Sequence, residues 1–437
     1  MNRKICQHLS EAVRIPTVSF FDPDREDEAA FERFDAFLRR AYPAVFEKGT
    51  CERVGRRGYL ITLTGGDGPA AVLMAHYDVV PADPAKWTED PFSGRITDTG
   101  VWGRGTLDTK GTLIAILEAA EEHLESGRRP KGTLYLAFSG EEEVEGESAH
   151  DIARLLKARG IRPAFVLDEG GAVIPEGLPG VPGEAAMIGI AEKGVINVLL
   201  TLTGQGGHAS TPPKHTLAGR MAKAACAIEK HRFRPRLTPP VIAMFEDIGR
   251  RRGGLTGFLF RHVRLYARPV ALLAVRLGGT FRAMVSTTAA VTMMSGSPSY
   301  NVLPDTAALG LNLRLLPGDD LEAVIGELRK AVDDPAIRFD VISGSLPSPV
   351  SVIGDEAWQL LTQVTSEVWP GAMTAPYTLN GGTDSRFYHE ISDHVYKLTP
   401  IRETKADRET IHWIDEHIRL EDLDRLVDFY RRLISRL

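Results

Sequence analysis

Histidines and carboxylates stand at the ends of successive apolar runs in this chain, and their types suit a divalent metal site. They are His76 and Asp78 after residues 71–75, Asp108, the three glutamates at 141–143 after residues 134–138, Asp168 after residues 164–167, and the distant His412. An apolar run that ends in such a residue is typical of a buried strand that opens onto a ligand crevice. Histidines and carboxylates without cysteine favour zinc or a similar cation bound through N and O.

The spacing of His76, Asp78 and Asp108 suggests the role that each residue has at a metal site. His76 and Asp78 are two residues apart at a predicted strand end, so their side chains share one face. A metal-binding imidazole usually donates its other N–H to a carboxylate. His76 is therefore predicted as a ligand, and Asp78 either as its partner or as a ligand itself. Asp108 precedes a helix, where it can cap the helix or bridge two cations through its two oxygens.

The acidic run at 141–143 directly follows a predicted strand. One of these adjacent carboxylates can bind a metal while another acts as a base. A metal lowers the pKa of bound water towards ~7, so that a free glutamate can accept its proton. Spacing alone does not assign the three roles. At the next strand end both Asp168 and Glu169 are candidate ligands, and the apolar run stops directly before Asp168, which favours Asp168. His412 would complete the ligands of a second metal ion.

The elements that must position these residues alternate between strands and helices up to about residue 190, which predicts a mostly parallel sheet covered on both faces. From residue 195 the order becomes βαββαβ, a small α+β sandwich. After residue 349 the first pattern resumes. We therefore predict an α/β catalytic domain with a mixed, mostly parallel sheet, made from residues 1–193 and 348–437. Residues 194–347 form an inserted α+β lid or dimerisation domain, which itself carries a helical insert at about 236–285.

The helical insert contains an apolar stretch at 255–260 followed by Arg261, Arg264 and Arg268 at helical spacing. A basic amphipathic helix of this kind can lie on a membrane or hold a lipid tail. The alternative is a helical excursion that packs onto the smaller domain.

Bulk composition narrows the class of protein. The net charge of −6 over 437 residues argues against a nucleic-acid binder. The three cysteines are far apart and have no metal or redox spacing. Neither a signal-peptide core nor an apolar stretch of membrane-spanning length is recognisable, so a cytoplasmic protein without a transmembrane segment is expected.

These residues and their flanks closely resemble the dinuclear zinc aminoacylase/carboxypeptidase superfamily, in particular its carboxypeptidase S-like branch, which includes N-acyl amino acid hydrolases and Gly-Xaa carboxypeptidases. The matching stretches span nearly the whole chain. They are MAHYDVVP at 74–81, WGRGTLDTKG at 102–111, EEEV at 141–144, LDEGG at 167–171, GHAS at 207–210, YNVLP at 300–304, GGTDS at 381–385 and IH at 411–412.

The resemblance implies a role for each position. The metal ligands would be His76, Asp108, Glu143, Asp168 and His412, with Asp108 bridging two zinc ions; Co²⁺ or Mn²⁺ are possible substitutes. The family's acidic motif usually reads Asp-Glu-Glu, so that Glu141 stands for the Asp and Glu142 becomes the general base. Asp78 would orient His76. His208 resembles the histidine that stabilises the oxyanion, which comes from the partner subunit in dimeric members. Arg314 and Asn301 resemble the residues that bind the substrate's α-carboxylate, and Gly382 and Thr383 resemble the backbone wall near that same end.

The expected function is metal-dependent hydrolysis of an amide or peptide bond in a small molecule or short peptide with a free α-carboxylate. The attacking species would be a metal-bound hydroxide, with a glutamate as base. A dipeptidase or aminopeptidase of the same fold is the alternative among enzymes, and a binding protein that lost its activity is the alternative outside them. A homodimer through the lid is possible.

Overall fold

The computed structural model describes residues 3–175 and 183–437, and the chain forms two compact units. The first unit is discontinuous and comprises Met1–Ile190, Ser351–Pro376 and Thr383–Leu437. The second unit comprises Ala191–Val350 and Tyr377–Gly382. The domain limits predicted at 193/194 and 347/348 each differ by three residues from these unit limits. The return of Tyr377–Gly382 to the second unit was not anticipated.

Eight helices belong to the described part of the first unit. They are α1 (Arg3–Val13), α2 (Glu28–Ala41), α3 (Pro43–Lys48), α4 (Lys110–Glu125), α5 (Ser148–Ala158), α12 (Glu356–Val368), α13 (Lys405–Thr410) and α14 (Leu420–Ile434). Its strands are β1 (Thr50–Val54), β2 (Gly58–Leu63), β3 (Gly68–His76), β4 (Gly100–Trp102), β5 (Gly132–Ser139), β6 (Phe165–Asp168), β7 (Val173–Ile174), β8 (Ala185–Glu192), β15 (Met373–Leu379), β16 (Val395–Lys397) and β17 (His417–Arg419), of which β8 and β15 cross the unit limits. Short 3₁₀ helices lie at Pro23–Arg25, Pro84–Lys86, Glu142–Val144 and Asp384–Glu390.

The large sheet has the order β1-β2-β5-β3-β6-β16-β8-β15, with β7 paired to β8. Its centre, β5-β3-β6-β16, is parallel, and the flanking pairs β1/β2, β2/β5 and β16/β8 are antiparallel. Along β3, Leu73 and Ala75 belong to one hydrophobic cluster, whereas Val72 and Met74 belong to another. Both faces of the sheet are therefore covered, which explains why the strands read as continuous apolar runs. The predicted α/β fold with a mixed sheet is confirmed, and its parallel pairing lies in the four central strands.

The strands of the second unit are β9 (Gly194–Thr203), β10 (Gly207–His208), β11 (Thr288–Ser295), β12 (Val302–Leu303), β13 (Thr306–Leu315) and β14 (Arg338–Ser345). Four of them form an antiparallel sheet of order β11-β13-β9-β14, and β10 pairs with β12. Two helices, α6 (Leu217–Lys230) and α11 (Leu321–Val332), complete the βαββαβ order. Apolar residues of both helices and of the sheet share one core, which makes this unit a two-layer sandwich.

The insert is a chain of short helices. They are α7 (Pro239–Arg251), α8 (Gly254–Arg261), a 3₁₀ helix at Val263–Tyr266, α9 (Ala267–Leu277) and α10 (Gly279–Val285). Arg261 ends α8, Arg264 lies in the 3₁₀ turn and Arg268 lies in α9. The spacing of these arginines predicted one continuous amphipathic helix. That prediction is wrong, because separate helices end at Arg261, Tyr266 and Leu277. Over residues 3–175 and 183–437, no helix combines the length and the apolar character that a membrane crossing needs.

Candidate metal centre

His76 is the last residue of β3 and lies at the carboxyl edge of the parallel strands. Its Nδ1 is 3.0 Å from the carbonyl oxygen of Asp78. Because a carbonyl oxygen only accepts, Nδ1 carries the proton. Its Nε2 lies 2.8 Å from Oδ1 of Asp108 and 3.4 Å from Oε1 of Glu169. A histidine fixed through one nitrogen, with the other facing carboxylates, has the geometry of a metal ligand.

His412 faces the other oxygen of the same aspartate. Its Nε2 lies 3.0 Å from Oδ2 of Asp108 and 3.0 Å from Oε2 of Glu143. The backbone of His412 has φ = 58°, a left-handed conformation that few non-glycine residues adopt. Strained backbone of this kind is concentrated at functional sites, where the surroundings enforce it.

Asp108 therefore stands between two groups of candidate ligands. His76, Asp108 and Glu169 place ligand atoms within 4.8 Å of one another, and so do Asp108, Glu143 and His412. One carboxylate that gives an oxygen to each group is the arrangement expected of a bridging ligand in a two-metal site.

The structure brings Glu169, and not Asp168, into this group of ligand atoms. The carboxylate of Asp168 accepts N–H groups instead, Oδ1 from Glu169 and Oδ2 from Ser385, each at 2.9 Å. Asp168 is the last residue of β6, whereas Glu169 lies in the bend directly after the strand, and its side chain reaches towards His76. Our preference for Asp168 as a ligand thus conflicts with this geometry, and the alternative that the sequence left open, Glu169, fits it.

Asp78 connects the end of β3 to the acidic turn. Its Oδ1 accepts the N–H of Glu142 and its Oδ2 the N–H of Glu143, each at 3.1 Å. Ser19 Oγ donates to Oδ2 at 2.7 Å, and the side chain of Asp78 is fully buried. The nearest contact of the Asp78 carboxylate with His76 is 3.4 Å. Asp78 thus positions the backbone of Glu142 and Glu143, and its carbonyl group holds His76.

The carboxylates of the site favour the presence of positively charged groups. The pKa of His412 is raised to about 10 by its hydrogen bonds to Asp108 and Glu143, against the opposing effect of burial. Burial alone would raise the pKa of Asp108, but the hydrogen bonds from His412 and His76 outweigh it and lower that pKa. Oε1 of Glu143 is buried without a hydrogen-bond partner in the described structure. Several carboxylates lie close together here, and one of their oxygens has no hydrogen-bond partner. These ligand atoms suit hard or borderline divalent cations.

Glu142 shares a cavity with His76, Glu169 and Asp384. Burial raises the pKa of Glu142 well above its ordinary value, as do the nearby carboxylates, while His76 opposes the shift. Burial likewise raises the pKa of Asp384 to about 7, and its Oδ2 has no partner among the described residues. Asp384 was not singled out in the sequence, although it stands within the GGTDS stretch.

A buried ion pair joins the two chain segments that carry Asp108 and His412. Arg104 Nη1 lies 2.6 Å from Oε2 of Glu416, with 2% and 0% of the two side chains exposed. Oε1 of Glu416 accepts the N–H groups of Gly105, Leu107 and Asp108 at 2.8–3.2 Å. Arg104 Nη2 donates to the carbonyl of Trp413, next to His412. Sequence reasoning missed this pair, because its members are 312 residues apart.

Gly103 and Gly105 allow the Asp108 loop to follow this path. Their φ angles are 141° and 89°, in the region that favours glycine. A Cβ on Gly105 would lie 2.8 Å from Cγ1 of Val79. The loop that ends in Asp108 therefore passes too close to Val79, in the segment after β3, for a larger residue at position 105.

The other candidate residues lie mostly in the second unit. His208 is exposed at the end of β10, and its Nδ1 accepts the N–H of Ser210 at 3.1 Å. A neutral His208 then carries its proton on Nε2 and can donate from there. The backbone carbonyl of Asn301 accepts the N–H of Ala209, so Asn301 lies beside His208. Arg314 lies on β13, where its Nε donates to Asn312 Oδ1 at 2.9 Å.

Gly382 is the last residue of the second unit, and Thr383 begins the final segment of the first. The hydroxyl groups of Thr383 and Ser385 are hydrogen-bonded at 2.7 Å. Thr383 accepts the Ser385 N–H and caps the 3₁₀ helix Asp384–Glu390.

Comparison with known proteins identifies the family. The sequence model of Peptidase family M20/M25/M40 matches residues 72–436. The chain belongs to the M20 peptidase family. It is 33% identical to the N-fatty-acyl-amino acid synthase/hydrolase PM20D1.1 of Danio rerio over 99% of this chain and 85% of that protein. It is 32% identical to the probable carboxypeptidase S-like 2 of Dictyostelium discoideum, with 99% and 85% covered.

A solved structure with the same fold is the M20 family metallo-carboxypeptidase Sso-CP2 from Sulfolobus solfataricus, with a TM-score of 0.72 at 18% identity over 100% of this chain and 99% of that one. The predicted resemblance to the carboxypeptidase S-like branch is confirmed. This M20 chain is an enzyme, a hydrolase of amide or peptide bonds of the metallopeptidase type.

Exchange of single carboxylates distinguishes Glu169 from Asp168 as a ligand. We expect Glu169→Gln to weaken binding of one metal ion by at least about a hundredfold, since it removes a charged oxygen from the ligand group. Asp168→Asn, the matched control, should keep both ions, because its carboxylate accepts backbone N–H groups outside that group. Metal content after dialysis measures both effects, with thermal unfolding as a check on folding. Loss of one ion in Asp168→Asn but not in Glu169→Gln would restore Asp168 as the ligand.

Proposed function

We propose that this chain is an N-acyl amino acid amidohydrolase or carboxypeptidase. Its substrate is a small molecule with a free α-carboxylate, either an N-acyl amino acid or a short peptide cut at its C-terminal residue. The observation that carries the proposal is the position of Asp108, whose two oxygens face His76 and His412. Glu142 lines the same cavity as His76, within reach of that centre.

The proposed cofactor is a pair of zinc ions, for which Co²⁺ or Mn²⁺ can substitute. His76, Asp108 and Glu169 would hold one ion, and Asp108, Glu143 and His412 the other. When bound, the ions supply Lewis acidity that activates water and polarises the amide carbonyl. The three carboxylate ligands carry three negative charges against four positive ones, so the loaded centre keeps a net positive charge. Such a centre favours the negative charge that develops on an attacked carbonyl.

Two side chains of the enzyme handle protons in the proposed reaction. The Glu142 carboxylate accepts the proton of the attacking water and returns it to the nitrogen of the leaving amine. Its raised pKa, which results mainly from burial, brings the carboxyl group closer to the range where both transfers are efficient. His208 donates a hydrogen bond from Nε2 to the substrate's carbonyl oxygen as that oxygen becomes negative. The acceptor role of its Nδ1 supports this assignment, because it leaves the proton on Nε2.

The α-carboxylate of the substrate is assigned to Arg314 with Asn301, while Gly382 and Thr383 contribute backbone next to it. A guanidinium group binds a carboxylate through two parallel hydrogen bonds, which a lysine cannot reproduce. Arg314 is half-buried on β13, where its Nε donates to Oδ1 of Asn312. A homodimer through the second unit stays a prediction.

A substrate panel on metal-loaded protein tests the proposal. We expect hydrolysis of N-acyl amino acids or peptides with a free C-terminus. Conversion of that carboxylate to an amide should lower kcat/KM by roughly a hundredfold, because a charged hydrogen-bond pair is lost. Arg314→Gln should abolish this preference, whereas Arg338→Gln on the exposed edge strand β14 should preserve it. Equal rates on free and amidated substrates would exclude recognition of the α-carboxylate, and a requirement for a free amino group would favour the dipeptidase or aminopeptidase alternative.

A further inference from the structure

The helical insert has an extreme charge composition. Between Asp247 and Asp305 the chain contains no Asp, Glu or Lys, but it contains eight arginines: Arg250, Arg251, Arg252, Arg261, Arg264, Arg268, Arg276 and Arg282. The whole chain, by contrast, has a net charge of −6. Residues 248–304 are therefore a strongly basic segment of an acidic protein, which is typical of a surface that meets an anionic partner.

Helix α9 turns its large apolar side chains outwards. Leu272, Leu273 and Leu277 are 48%, 56% and 60% exposed, while the small Ala271 on the opposite face is fully buried. A helix that serves only to pack onto its own unit buries its leucines and exposes polar residues. Here the inner face is made of small residues and the outer face of leucines. The outer face of α9 is thus unpartnered in the described structure.

Arginines lie within this outer face rather than opposite to it. Arg268, Leu272 and Arg276 follow one another at intervals of four residues, so they form one row along the helix. Leu273 and Leu277 form the neighbouring row. Neither Arg268 nor Arg276 has an ion-pair partner among residues 3–175 and 183–437. Leucines between unpaired arginines make a surface that matches apolar chains beneath a layer of negative charge.

Helix α8 repeats the pattern. Leu255, Phe258 and Leu259 are 74%, 51% and 42% exposed. The helix packs against α7 through glycine, since a Cβ on Gly249 of α7 would lie 2.6 Å from the backbone nitrogen of Arg261 and 2.9 Å from the carbonyl oxygen of Gly257. Close backbone contact of this kind holds α8 in place while its large side chains stay outside. The outer faces of α8 and α9, which we call the insert surface, therefore carry six large exposed apolar residues.

We propose that the insert surface docks onto a lipid bilayer that contains anionic phospholipids. The leucines and Phe258 would enter the boundary between headgroups and acyl chains, and the arginines would contact the phosphate groups. A second copy of the chain is a poor occupant, because a symmetric contact would place the same arginines against each other. The proposal concerns binding to a membrane surface, and it does not depend on the hydrolase substrate.

Flotation of the full chain with lipid vesicles tests the proposal. We expect the protein to float with vesicles of about three parts phosphatidylcholine to one part phosphatidylglycerol at low salt, and to bind pure phosphatidylcholine at least about tenfold more weakly. The double variant Leu273→Ser/Leu277→Ser should bind the anionic vesicles at least about tenfold more weakly than the unchanged chain. The double variant Arg268→Gln/Arg276→Gln should weaken binding to the anionic vesicles to a similar degree. High salt should weaken binding of the unchanged chain, because it screens the charges of the arginines.

Matched controls separate the insert surface from exposure in general. Phe21→Ser removes an apolar side chain that is 81% exposed in the first unit, and Arg338→Gln removes an exposed charge on β14. Both should bind vesicles as the unchanged chain does. All changed residues are exposed, so the thermal unfolding midpoints should stay the same. The proposal is overturned if the unchanged chain does not float with anionic vesicles, or if the insert variants float equally well. Conversion of a dimer to a monomer by Leu273→Ser/Leu277→Ser would also overturn it, by showing that a second copy covers this face.

Discussion

Glu142→Gln should lower turnover by about two to four orders of magnitude while leaving the metal content unchanged. The amide has the size of the carboxylate, but it cannot accept a proton from water at neutral pH. Glu142 contributes no oxygen to either group of candidate ligand atoms, so its exchange should not remove an ion. Steady-state kinetics on metal-loaded protein measure the first effect, and elemental analysis of dialysed protein measures the second.

Glu141→Gln is the matched control for this variant. The carboxylate of Glu141 is also buried, but it accepts a hydrogen bond from Ser148 and lies 3.7 Å from Arg56, outside the candidate ligand groups. We expect turnover within a few-fold of the unchanged enzyme, because this carboxylate faces structural partners. Loss of turnover in Glu141→Gln with normal turnover in Glu142→Gln would shift the acidic motif by one residue and refute the assigned base.

The strand ends were the most predictable part of the site. Apolar runs that stop at His76, at 141–143 and at Asp168 mark where β3, β5 and β6 end. Because these strands are parallel and adjacent, their carboxyl ends meet at one edge of the sheet. A single sequence therefore contains enough information to bring these segments together.

The direction of each side chain beyond a strand end was less predictable. Adjacent residues diverge there, and the turn after the strand decides which one faces the metal centre. This explains why Glu169, rather than Asp168, lies near His76. The role of Asp78 was hidden for a similar reason, since its carboxylate accepts backbone N–H groups of a turn 64 and 65 residues away.

Helix burial also departed from the sequence pattern. Glutamates in a helix usually mark its solvent-facing side, but α4 buries nearly every residue, including Glu118 and Glu121. Glu118 lies 2.5 Å from His8, and Glu121 accepts the N–H groups of Ala44 and Val45. Polar residues on a predicted outer face can thus be buried when another segment supplies hydrogen bonds. Such partners come from distant parts of the chain and leave no periodic signal.

Glu416→Gln should reduce the free energy of unfolding by about 3–5 kcal/mol, because it leaves the buried guanidinium of Arg104 without its counter-charge. The same change weakens the acceptor for three N–H groups in the loop that ends in Asp108. Since Arg104 also holds the carbonyl of Trp413, we expect weaker metal binding at the Asp108 and His412 side as well. Thermal and denaturant unfolding measure the first effect, and metal titration measures the second.

The exposed pair Arg425–Glu421 offers a control with the same N–O distance of 2.6 Å. Glu421→Gln should cost less than about 1 kcal/mol, because solvent screens an exposed ion pair. Adding Arg104→Met to Glu416→Gln removes the orphaned charge, so the double variant should recover part of the lost stability. If Glu416→Gln unfolds and binds metal as the unchanged chain does, the buried pair does not position the centre. Recovery of stability without recovery of metal affinity would instead separate the two roles of Glu416, one in folding and one in holding Asp108 opposite His412.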